Sequence, residues 1–221
     1  MAENVEGYRQ QGYSKFQLKV GGDPLEDIER IRAVRDILAD DEILVADANT
    51  GWRVDDAARV VNGVSDVDVY IEQPCKSYEH SLATRRRTSL PFILDENIDS
   101  LQMLIGAHQD GAMDAINLKI SKFGGLTKAK VARDVCVSLG IPMNIEDTWG
   151  SDFITAAIAH LSHSTPDEFR FAATDFNAYV DVKTGSGMDD KQSGTAKAPE
   201  VPGLGITPDF GVLGKPVLEF S

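Results

Sequence analysis

Along the chain, short apolar runs that stop on a charge alternate with longer stretches in which apolar residues recur at helical spacing. The first run, Phe16-Gln17-Leu18-Lys19-Val20, alternates apolar and polar residues and predicts a strand. Gly21-Gly22 closes it, and Asp23-Pro24 supplies an N-cap and a first-turn proline for a helix that Ile28, Ile31, Val34, Ile37 and Leu38 carry through Asp40. Further strands are predicted over 43–47, 69–72, 92–95, 115–119, 141–145 and 169–172. Helices are predicted over 55–62, 79–87, 100–109, 126–139 and 152–163, with Gly140 as the C-cap of the fourth. A polar, helix-compatible segment over 4–11, turning at Gly12, precedes the first strand.

Five successive strands end on a charge: Lys19, Asp47, Glu72, Asp95 and Lys119, at spacings of 28, 25, 23 and 24 residues. A βα unit of an eight-fold barrel takes roughly 30 residues, so the repeat predicts an α/β fold of the TIM-type (β/α) barrel kind with tight loops. A doubly wound open sheet is the alternative, but it would gather its site at one switch point. In a barrel all these strand ends converge on one face. Seven predicted strands leave the ring one short, and the opening helix reads as the partner of an absent first strand. The expectation is therefore an incomplete barrel over 1–221, with a C-terminal tail from about 183 and a flexible excursion over 184–194.

Composition narrows the partners. A chain of 221 residues, 42% hydrophobic, suffices for one domain with a sizeable core. With 22 Lys and Arg against 35 Asp and Glu, its formal charge of -13 argues against nucleic acid or an anionic membrane as partner. No long apolar run or signal pattern is present, which reads as cytoplasmic. Cys75 and Cys136 lie too far apart in sequence for a metal knuckle or redox pair and read as small buried residues.

The strand-end charges carry the candidate chemistry. A single carboxylate at a strand end is an ordinary solvated residue. Asp47, Glu72 and Asp95 end three consecutive strands, where they would repel one another unless a cation sat among them. All-oxygen donors suit one hard divalent ion, Mg²⁺, with water or substrate oxygens completing its shell. Lys19 and Lys119 end the strands on either side of the trio. Partly desolvated and near a dication, such a lysine has its pKa lowered and can exchange a proton with the α-carbon of a carboxylate substrate. Asn49 and Glu96 are placed to orient the ligands, and Asp147, Trp149 and Asp175 to line the pocket. Lys122 reads as a loop charge. None of the four histidines ends a predicted strand.

Gln17-Leu18-Lys19-Val20-Gly21, Asp47-Ala48-Asn49, Ile71-Glu72-Gln73-Pro74, Leu94-Asp95-Glu96 and Asn117-Leu118-Lys119-Ile120 with Gly124-Gly125 together resemble the barrel domain of the enolase superfamily, muconate lactonizing enzyme subgroup. That resemblance implies Lys19 and Lys119 as general acid and base, and Asp47, Glu72 and Asp95 as ligands of Mg²⁺. Tyr70-Ile71-Glu72-Gln73-Pro74-Cys75, the stretch from Ile145 to Gly150, and Thr174-Asp175-Phe176-Asn177 are similar to those of cis-3-hydroxy-L-proline dehydratases. This implies a small amino or imino acid substrate, removal of its α-proton, and loss of the 3-hydroxyl as water to give Δ1-pyrroline-2-carboxylate. The hydroxyproline betaine 2-epimerases share the Glu-Gln-Pro-Cys stretch and remain an alternative. Gln17 stands where the subgroup often has a lysine, and the superfamily's N-terminal capping domain is not in this sequence. A homo-oligomer is expected. A third reading, of a different class, is an inactive barrel fragment that self-associates through its open strand edges.

Overall fold

The computed structural model describes residues 2–148, 150–174, 180–188 and 193–218. In chain order the elements are α1 (Ala2–Gln10), β1 (Lys15–Lys19), α2 (Pro24–Arg35), β2 (Ile43–Asp47), α3 (Val54–Gly63), β3 (Tyr70–Glu72), α4 (Tyr78–Arg85), β4 (Phe92–Leu94), α5 (Leu101–Gln109) and β5 (Ala115–Lys119). They continue with α6 (Ile120–Phe123), α7 (Leu126–Leu139), β6 (Met143–Glu146), α8 (Asp152–His163), β7 (Arg170–Ala173), β8 (Gly185–Ser186), β9 (Thr207–Pro208) and α9 (Phe210–Leu213).

Strands β1 to β7 pair in chain order, every neighbour parallel. Helices crossing between them cover one face, so alternate strand residues meet different surroundings. Phe16, Leu44, Ala46, Ile71 and Phe92 join one core layer against the helices, and Leu94, Ile116, Leu118, Met143 and Ile145 join a second. The opposite face turns inward. Val45, Ile93 and Ala115 pack there with Ile43, Tyr70 and Phe171. Phe171, on the last strand of the sheet, meets the Tyr70 ring at 5.0 Å between centroids and lies 4.7 Å from Lys15 Nζ on the first. Contact between the two outermost strands requires a curled sheet. Among the described residues no ladder joins β1 to β7, so the observed architecture is a curled parallel α/β sheet that is not closed into a ring, in line with the seven strands counted in the sequence.

Three local expectations change. Helix α2 has the predicted cap, with Asp23 accepting from the Leu25 and Glu26 amides, but it stops at Arg35, short of Asp40. Ile37 and Leu38 wind into tight turns onto the Val34 and Arg35 carbonyls, and Glu42 takes the Ala39 amide at 2.8 Å. The segment expected to be flexible is anchored at its start: Asp152 accepts from the Thr184 amide (2.6 Å), the Thr184 hydroxyl (2.9 Å) and the Gly185 amide (3.0 Å), and β8 pairs antiparallel with β9. The short helix α6 was not foreseen. No helix among the described residues is long and apolar enough to cross a membrane. Both cysteines are buried and free.

Candidate active site

The inward-facing strand positions stack in layers, as side chains do inside (β/α) barrels. Above the apolar layer lies a polar one. Thr174 donates to Asn144 (3.1 Å), Asn144 to Asn117 (3.3 Å) and Asn117 to Glu72 (2.6 Å), and Gln17 donates to the other Glu72 oxygen at 3.0 Å. This chain fixes the rotamer of Glu72 from both sides. Gln17 therefore supplies a neutral donor to Glu72 where a lysine would supply a charge.

The top layer holds the predicted residues. Register brings Lys19 beside Asp47, Asp47 beside Glu72, and Lys119 beside Glu146, while Asp95 follows the end of β4. Round the mouth the order is Lys19, Asp47, Glu72, Asp95, Lys119. Asp47, Glu72 and Asp95 are buried. Lys19 pairs with Asp47, and Lys119 Nζ lies 2.6 Å from Asp95.

Lys122, expected to be a loop charge, belongs to this site: helix α6 folds it back to donate to Asp95 Oδ1 at 2.7 Å and to the Asp95 carbonyl. Burial raises the Asp95 pKa, but Lys122 and Lys119 outweigh that and leave it lowered. Burial likewise depresses Lys119, yet Glu146 and Asp95 pull it the other way and leave it raised. Among these protein groups Lys119 is thus a weaker acid than a free lysine, whereas the lowered value expected from sequence concerns a lysine beside a bound dication.

Surrounding groups hold these side chains in place. Arg30 on α2 donates to the Lys19 carbonyl at 2.6 Å, and buried Asp27 accepts from the Gly21 and Gly22 amides and the Trp52 indole. Gly21 is required here, since at φ +103° a Cβ would collide with the Ala48 carbonyl oxygen. Gln73, fully buried at φ +37°, accepts from the Asp95 amide at 2.9 Å and donates to Asn97 at 2.6 Å, tying the β3 loop to the end of β4. Asn49 sits at φ +42° with its amide on Asp47 Oδ1 (2.8 Å), and its side chain reaches Glu96 at 3.5 Å. The Glu96 pKa is raised by burial and by Asp95. Asp147 is occupied by the Ser121 hydroxyl and amide and by the Thr148 amide, so it fastens the start of α6 behind Lys119. Trp149 and Asp175 lie outside the described residues.

Glu146 was missed. The predicted strand ended at Ile145, whereas β6 includes Glu146, 3% exposed and 3.7 Å from Lys119 Nζ. The alternation Asn144, Glu146 against Met143, Ile145 was the available signal, because inward positions of this strand are polar and outward ones apolar.

As they stand, no three His, Cys, Asp or Glu side chains among the described residues are grouped closely enough to hold a metal ion. Asp47 pairs with Lys19, and Asp95 with Lys119 and Lys122. The donor set nevertheless fits a hard dication. Glu72 has its pKa raised well above the ordinary value by burial and then by Asp47, Glu146 and Asp95, which marks excess negative charge among oxygen donors on adjacent strands.

A curled parallel sheet whose strand ends set two lysines on either side of three buried carboxylates defines an α/β protein with a charged mouth at one end of its sheet. Residues 1–212 match the family described as Enolase C-terminal domain-like. The chain belongs to that family. It is 59% identical over 221 residues to the cis-3-hydroxy-L-proline dehydratase of Roseibium aggregatum, covering 100% of this chain and 60% of that protein. A mandelate racemase/muconate lactonizing enzyme from Roseovarius nubinhibens ISM superposes with a TM-score of 0.95 at 42% identity, over 99% of this chain and 59% of that one. An enolase superfamily member from the same organism, complexed with magnesium, superposes at 0.93 with 34% identity, over 98% and 59%. The chain therefore spans about 60% of the length of these relatives.

Proposed function

We propose that this chain carries the catalytic residues of a Mg²⁺-dependent dehydratase that converts cis-3-hydroxy-L-proline to Δ1-pyrroline-2-carboxylate. The observation that carries the reading is the pair of lysines bracketing three buried carboxylates, in a chain 59% identical to such a dehydratase. Asp47, Glu72 and Asp95 would hold the ion. When bound, it neutralises them and stabilises negative charge on the substrate carboxylate as the α-proton leaves. We also take the curled sheet as an arc of a (β/α)₈ barrel, with the site at its C-terminal rim.

The stereochemistry suits two opposed lysines. In cis-3-hydroxy-L-proline the hydroxyl and carboxylate share a ring face, so the α-hydrogen lies on the face opposite the hydroxyl. One lysine removes that hydrogen, and the C–H electron pair becomes the C2=C3 bond as the C3–O bond breaks. The other lysine, protonated and on the far face, gives its proton to the departing oxygen, which leaves as water. The resulting enamine tautomerises to the cyclic imine.

Incubating the purified protein with Mg²⁺ and cis-3-hydroxy-L-proline should yield that imine, and Lys19→Ala and Lys119→Ala should each slow it about 10²- to 10⁴-fold. Absence of imine at saturating substrate and Mg²⁺ would overturn the reading. The same opposition of lysines favours a second one, 2-epimerisation of a proline betaine, in which the second lysine reprotonates the α-carbon from the far face. In D₂O that reaction would incorporate α-deuterium with the hydroxyl retained.

A further inference from the structure

The dehydratase reading leaves one substrate charge unmatched and one buried carboxylate without a task. An imino acid carries a ring ammonium as well as a carboxylate. Facing two lysines and a dication, that ammonium is repelled unless a negative group receives it. Most carboxylates at the mouth are already engaged. Asp47 is held by Lys19 and the Asn49 amide, Asp95 by Lys119 and Lys122, and Glu72 by Gln17 and Asn117. Asp147 is taken by Ser121 and Thr148.

Glu146 differs from all of these. It ends β6 on the inward face, directly beside Lys119 in the register, and is 3% exposed. Among the described residues no donor hydrogen-bonds to it, and its one ion-pair partner, Lys119 Nζ, stands 3.7 Å away, beyond hydrogen-bonding distance. Burying a carboxylate in this way is unfavourable. Burial accordingly pushes its pKa up to about 8, with Lys119 opposing and Asp95 adding to the rise. A costly carboxylate on an inward strand position beside Lys119, with no hydrogen-bond donor among the described residues, is suited to a cationic ligand.

We propose that Glu146 receives the ring ammonium of the substrate, so that the site selects imino and amino acids over carboxylic acids of the same shape that lack a basic nitrogen. The inference rests on the dehydratase reading for the location of the substrate, and goes beyond it in assigning the nitrogen subsite. L-Proline and (S)-tetrahydrofuran-2-carboxylate form the test pair, since they differ mainly in a ring ammonium against a ring ether.

Calorimetric titration of the Mg²⁺-loaded protein should show clear preference for proline. In Glu146→Gln, proline affinity should fall roughly 10- to 100-fold while the ether acid is bound within about twofold of the unmodified protein. Retained binding of the ether acid also shows that the variant site is folded, and Glu146→Asp should recover part of the preference. Equal weakening of both ligands would overturn the proposal in favour of a role in holding Lys119. So would a loss seen only with 3-hydroxyproline, which would move Glu146 to the hydroxyl. A protein that makes the imine but keeps its proline preference in Glu146→Gln overturns this inference alone; one that binds neither proline nor cis-3-hydroxy-L-proline overturns the dehydratase reading with it.

Discussion

At the scale of single residues, Glu146 sets function against stability. Its ordinary pKa of 4.5 is raised to about 8 in the fold by burial, so the folded protein holds that proton more tightly than the unfolded chain does. The associated stabilisation is complete below about 4.5 and is lost as the pH rises through about 8. Glu146→Gln cannot ionise. In EDTA it should melt with the unmodified protein at pH 5 and above it at pH 9, by a few kcal/mol at most. Identical melting temperatures at both pH values would show that the buried carboxylate carries no such penalty. Lys19, Asp47, Glu72, Asp95 and Lys119 were legible in the sequence because each interrupts an apolar run at the same point of a repeat. Glu146 was not, since one misplaced strand end hid it. Lys122 was not either, because nothing in its spacing reveals that a single helical turn folds it back onto Asp95.

At the scale of elements, the seven strands of the main sheet were predicted to within about two residues because their apolar runs are short and sharply bounded, as in Ile43–Asp47, whereas the two-residue strands β8 and β9 were not predicted. The end of α2 was misjudged, since Ile37 and Leu38 keep helical spacing while long-range polar contacts stop the helix. Arg9 on α1 is central to those contacts. Its Nε and Nη2 donate to the two Glu42 oxygens, each at 2.7 Å, and Arg35 donates to the Ala39 and Glu42 carbonyls. The cluster ties α1 to the loop that leads into β2. The Arg9 guanidinium, helped by the Ala39 amide, holds the Glu42 pKa at about 2, below its ordinary 4.5 and against the upward push of burial. A lowered carboxylate pKa gives stabilisation that is present above about 4.5 and lost as the pH falls through about 2. Glu42→Gln should therefore lower the urea midpoint at pH 7, and its deficit should shrink at pH 3. A deficit that is the same at both pH values would assign the loss to packing.

At the scale of the whole molecule, the charge of -13 and the carboxylates at the mouth make a divalent cation the most informative single addition. Two effects would both raise stability, and they separate cleanly. Diffuse screening of an acidic surface depends on ionic strength and is indifferent to which salt supplies it. A bound ion depends on its own concentration, and stabilises by about 2.7 kcal/mol at a hundredfold excess over its dissociation constant. For a chain of this size that amounts to roughly 5 to 10 °C in melting temperature. Mg²⁺ should thus raise the melting temperature well beyond NaCl of matched ionic strength, with the excess growing as the logarithm of its concentration. Asp47→Asn and Asp95→Asn should lose that excess while keeping the response to NaCl. Glu146→Gln should keep it in full, because Glu146 lies outside the proposed ligand set. Equal shifts from the two salts would reduce the carboxylate trio to surface electrostatics and remove the metal from the mechanism, whereas loss of the Mg²⁺ excess in Glu146→Gln would move Glu146 from the substrate to the ion.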